Sequence, residues 1–138
     1  IDSNDSEISV NQMIEEDNSK GTANLIVDRR RLEIVSANCL HSLRTENEGV
    51  VESAIFVSIQ FKNRFPDSND EKFVDALNEL VKYSPSPVIS YKAHLAKLYF
   101  ESTDLFNDID VSSILDEERV YSDISDRINR LRLSASLN

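Results

Sequence analysis

The sequence has little of what tight turns, covalent staples and membrane spans are made from. Its 138 residues hold two glycines, three prolines, one cysteine and no tryptophan. Glycine at its usual ~7% supplies the positive-φ positions of tight β-turns. Its scarcity excludes a turn-rich all-β fold and argues for helices joined by short polar connections. A lone Cys39 excludes an internal disulfide and a cysteine-based zinc site. No run approaches the ~18 apolar residues that a membrane-crossing helix needs, so membrane insertion is not expected. Basic side chains number 15 against 25 acidic ones, a net charge of −10. Such a surface repels phosphate backbones and anionic lipid, so nucleic acid is not an expected partner. The chain opens at Ile1. A removed secretory signal would make this an exported protein, periplasmic or extracellular, and simple trimming would leave it cytoplasmic.

What is present is helical periodicity. Residues 1 to 8 are polar and acidic and read as a mobile arm; one domain is expected over 9 to 135, with a frayed tail over 136 to 138. Ser9 and Gln12 form an S-x-x-Q capping pattern, and Lys20 with Gly21 reads as the stop of the short helix that follows. Leu25, Leu32, Val35, Cys39, Leu40 and Leu43 recur at helical spacing, as one helix over 22 to 43 or as two with a break near Arg29. Glu46 to Gly49 reads as a polar turn. The stretch from Val50 to Phe65 is apolar nearly all round, which requires neighbours on several sides, and Pro66 ends it. Ser68 and Glu71 form a second capping pattern before the stripe Phe73, Val74, Leu77, Leu80, Val81. Ser86 as N-cap and Pro87 in the first turn open another largely apolar helix from Val88 to Phe100. A last amphipathic helix carries Ile114, Tyr121, Ile124, Ile128 and Leu131.

Two of these units repeat. Cys39, Leu40 and Leu43 match Ala76, Leu77 and Leu80 at an offset of 37. Val50, Ala54, Phe56, Val57, Ile59 and Phe61 match Ile89, Ala93, Leu95, Ala96, Leu98 and Phe100 at 39. The unit is thus an amphipathic helix, a turn and a more buried helix. Here the chain resembles the HEAT and armadillo group of helical repeats, through the turn and second-helix segments ENEGVVESAIFVSIQF and SPSPVISYKAHLAKLYF, with small Ala54 and Ala93 where helices approach. Val51 and Ser90 stand where that group often carries an arginine, and the turn has Ser86-Pro87 in place of Asp-Pro. The resemblance implies a protein-binding scaffold. The expected fold is all-α, a short solenoid-like stack of antiparallel helix pairs with five or six helices.

The chemistry-bearing residues mostly read as structural. Arg29, Arg30 and Arg31 point about 100° apart on a helix and cannot converge on one phosphate. Arg127, Arg130 and Arg132 suit pairing with upstream acids. Nine acidic residues against Arg119 alone fill the span from Glu101 to Asp126. Asp108, Asp110 and Ser112 match the first calcium-loop positions, but Ser113 and Arg119 stand where such a loop needs Gly and Glu. His41 and His94 lack metal spacing, with His94 expected on a partly buried face, and Cys39 should pack as a small buried residue. No catalytic, cofactor or metal set is assembled by this pattern. A partner site is expected on the face of the second helices, formed by Glu52, Gln60, Lys92 and Lys97 with Tyr99 as an aromatic anchor. The partner is read as a protein or peptide. One alternative is an acidic accessory subunit docking on a basic partner, and the other is a hydrolase using the carboxylates from Asp104 to Glu118.

Overall fold

The computed structural model describes residues 22–68 and 70–137, with side chains from 29 to 135 apart from 69. The arm over 1 to 8, the Ser9–Gln12 cap and the Lys20–Gly21 stop lie outside the described residues. Five α-helices run in order: α1 Thr22–Leu43, α2 Glu48–Arg64, α3 Glu71–Tyr83, α4 Pro87–Glu101 and α5 Glu117–Leu137. Short 3-10 turns at Thr103–Leu105 and Ile114–Asp116 lie between α4 and α5, and no strand occurs among the described residues. The fold is all-α. None of these helices is long and apolar enough to cross a membrane.

Local chemistry sets the helix ends. Asn47 caps α2, its side-chain oxygen accepting the Val50 N–H at 3.1 Å. The helix therefore starts at Glu48, inside the stretch expected to be a polar turn. Phe65 closes α2 just before Pro66. Ser86 caps α4 by accepting the Ile89 N–H at 3.3 Å, with Pro87 in the first turn, where a missing N–H costs no helical bond. The expected Ser68–Glu71 capping box does not form. Ser68 instead folds its hydroxyl back to donate to the Phe65 carbonyl at 2.8 Å. The start of α3 is pinned by the Lys62 ammonium, 2.6 Å from the Asp70 carboxylate. Between Thr22 and Leu43 there is one helix, with no break near Arg29. Helix α5 continues to Leu137, into the segment expected to fray.

By compactness the chain divides into two units, residues 1–38 and 39–138, the boundary falling inside α1. Within the second unit, α4 is the central element and packs on α2, α3 and α5. Ile55, Phe56, Ile59, Leu77, Leu95 and Tyr99 are among its fully buried side chains. An aromatic column runs through it: Phe61 on Phe73 at 5.5 Å between centroids, and Phe73 on Phe100 at 5.7 Å. The connection from α4 to α5 closes over the core. Phe106, Ile109 and Val111 insert from it, and Phe106 stacks on Tyr99 at 5.8 Å.

The two second helices are alike in burial at a shift that apolarity alone does not give. The buried Val51, Ala54, Ile55, Ser58 and Lys62 of α2 fall on the buried Ile89, Lys92, Ala93, Ala96 and Phe100 of α4 at an offset of 38. At 39, Ile55 would meet His94, which is exposed, and Lys62 would meet exposed Glu101. His94 itself is exposed, so the expectation of a partly buried His94 fails; at 38 it falls on the fully buried Phe56, and the likeness of the two helices does not extend to that position.

Candidate functional site

The face expected to hold a partner is occupied by this chain's own C-terminal third. Tyr99 is fully buried, and its phenol accepts an N–H of Asn63 at 2.9 Å. Burial raises the Tyr99 pKa, with the Asn63 bond opposing. Gln60 donates from its amide to the Val111 carbonyl at 2.9 Å, holding the connection from α4 to α5 against α2. Lys97 is half-buried. These residues do not form the free surface expected of Glu52, Gln60, Lys92, Lys97 and Tyr99. On helices apolar nearly all round, a polar residue that meets a distant segment of its own chain has no local mark.

Lys92 shows this most clearly. Only 6% exposed, it donates to Glu52 on α2, to Glu118 at 2.8 Å and to Glu117 at 3.2 Å on α5, and it lies 5.1 Å from the centroid of the Tyr121 ring. Burial acts to lower the Lys92 pKa, but its hydrogen bonds to Glu118, Glu52 and Glu117 outweigh it, so the net shift is upward and the ammonium stays charged. The three carboxylates offer oxygens within 4.8 Å of one another, a spacing that would suit a cation, and the ammonium stands among them. This is an ion cluster that ties α2, α4 and α5 together. Beside it, the Tyr121 hydroxyl is buried with no hydrogen-bond partner. Burial raises its pKa, and the negative charge of Glu117, Glu52 and Glu118 adds to the shift.

The acidic connection is likewise engaged. Arg127 makes a two-pronged pair with Asp108, at 3.0 and 2.9 Å, and also donates to the Leu105 carbonyl. Asp110 accepts from the Ser112 N–H at 3.0 Å and hydroxyl at 2.7 Å. Arg127 holds the Asp108 carboxyl below its ordinary value, and Ser112 does the same for Asp110. Arg119 bridges to Asp123 at 2.8 Å and donates to the Asp110 carbonyl at 2.6 Å. Cys39 is buried, its sulfur 3.4 Å from the Ala54 carbonyl, and burial pushes the thiol up to about 12. His41, His94, Arg29 and Arg30 are exposed.

A different place is open. Where α1 and α3 end and α2 and α4 begin, Leu43, Val51, Ala76, Leu80 and Ile89 line a groove of about 620 Å³. Tyr83, 78% exposed, and Pro85 form its lip. Glu46, Glu48 and Glu79 lie on the rim with Arg44, which reaches Glu79 at 3.4 Å. Val50 and Val88, in the first turns of α2 and α4, add exposed apolar surface at the same end. Sequence reasoning missed this groove. The available signal was Tyr83, a large aromatic residue off the α3 stripe and beside a Ser-Pro turn.

Comparison with protein-family models, curated proteins and solved structures gave no match to this chain.

Proposed function

We propose that this chain is a non-catalytic protein-binding module, a short HEAT-like helical scaffold whose groove between Leu43 and Ile89 seats a segment of another polypeptide. The groove is the observation that carries this reading: a hollow floored by the buried Leu43, Val51, Ala76 and Ile89, with half-buried Leu80 on its wall and the exposed Tyr83 and Pro85 as its lip. Aromatic residues are common anchors of protein interfaces, and Tyr83 stands at this groove. The net charge of −10 also favours the accessory-subunit form of the reading, in which the partner is basic. A hydrolase has less support, because Asp108 and Asp110 are held ionised by their partners, opposite to what a general acid requires. The test is selection from a displayed library of random 15-residue peptides, followed by binding to wild type and to the Leu80→Gln variant. Enriched peptides should bind wild type and lose the variant. No enrichment, or equal binding to both, would refute the groove as the site.

A further inference from the structure

We infer that the occupant of this groove is a basic amphipathic helix of a partner protein, its apolar stripe on Leu80, Tyr83 and Pro85 above the floor of Leu43, Val51 and Ile89, and its lysines or arginines over the acidic rim. This rests on the protein-binding reading and names the ligand chemistry that reading leaves open. Main-chain pairing is not on offer, since no strand edge exists among the described residues. A small buried ligand would want polar groups converging on the floor, whereas here the floor is aliphatic and the charges lie on the rim. That pattern is the helix-in-groove mode, in which residues at i, i+3 or i+4 and i+7 supply the apolar contacts.

The rim fixes the sign of the flanks. Glu46, Glu48 and Glu79 face Arg44 alone, and Arg44 pairs with Glu79. The carbonyl ends of α1 and α3 and the amide ends of α2 and α4 meet at this mouth and offset one another, so the sign is set by the glutamates. A second copy of this chain seated through its exposed segment at 114–115 fits poorly as the occupant. Its exposed pair Ile114 and Leu115, the latter 92% exposed, is followed by Asp116, Glu117 and Glu118, which would bring like charges to the rim.

The probes are two synthetic helical peptides that share one leucine and phenylalanine stripe, one flanked by lysine and the other by glutamate. Their binding to the full chain is read by fluorescence anisotropy, with methyl NMR shifts of Val51, Leu80 and Ile89 locating the site. The lysine peptide should bind at least about tenfold more tightly than the glutamate peptide, and the difference should shrink as salt rises. The double variant Glu46→Lys, Glu79→Lys should reverse the preference. Tyr83→Ser, at a position too exposed to affect folding, should weaken both peptides. Equal binding of both peptides, unmoved by the rim variant, overturns the basic occupant and leaves the protein-binding reading standing. Absence of binding and of methyl shifts for either peptide overturns both. Concentration-dependent self-association in sedimentation, lost in Tyr83→Ser, makes a second copy the occupant and overturns the inference alone.

Discussion

Replacing Lys92 with Met removes a charge while keeping most of the stem that packs against Tyr121. The loss can be worked from the environment. Taking away one partner of a buried ion set costs ~3–5 kcal/mol, because the remaining charges stay desolvated. Here the remaining charges differ in access: the Glu118 side chain is 82% exposed and Glu52 38%, while Glu117 is 20% exposed. Water and screening therefore recover part of the loss at the first two, leaving a net destabilisation of about 2–3 kcal/mol. In urea, with a slope of ~1–3 kcal/mol/M, the midpoint should fall by roughly 0.7–3 M at unchanged slope. Adding Glu117→Gln to Lys92→Met should restore part of the stability, since the repulsion within the orphaned carboxylates is reduced. Lys97→Met serves as the control, expected within ~0.5 kcal/mol of wild type. If Lys92→Met unfolds together with that control, the cluster is not what ties α5 to α4.

Three further outcomes follow from the same structure. Tyr121→Phe deletes a buried hydroxyl that has no partner, so it should stabilise the fold by about 1 kcal/mol in thermal or urea melts; a loss of stability would mean the hydroxyl is satisfied. Ser86→Ala should cost about 1 kcal/mol through loss of the α4 cap, and Ser68→Ala clearly less, because Ser68 caps no helix; equal losses in the two melts would restore the discarded capping box. Cys39, buried and with its thiol pushed up to about 12, should resist an aromatic disulfide reagent at pH 8 until urea unfolds the chain, and prompt reaction of the folded protein would contradict its burial.

The helices were legible because local rules set them. Asn47, Ser86-Pro87 and Pro66 act on backbone groups a few residues away, and the stripes of α3 and α5 declare one buried face each. The partner face was not legible. Glu52, Gln60 and Lys92 sit on helices with several buried sides, and their contacts lie 40, 51 and 25 to 40 positions away in sequence. Periodicity cannot tell a polar side chain that awaits a partner from one that meets its own chain's returning end. Ser68 misled for a related reason. The capping pattern was present, but the turn after Pro66 claimed the hydroxyl first. Apolar residues on an all-round apolar helix match at several registers, so apolarity alone does not set an offset between α2 and α4.

The loop with Phe106, Ile109 and Val111, together with α5, closes over the core packed around α4. A fragment ending at Glu101 would lay bare Lys92 and the apolar flanks of α4 at once, and a fragment beginning at Ser102 would carry three hydrophobic plugs with nothing to seal. Neither half makes a sensible autonomous unit. Expressed as separate pieces they should seek each other, and cleavage in the intervening loop would leave a nicked but assembled protein.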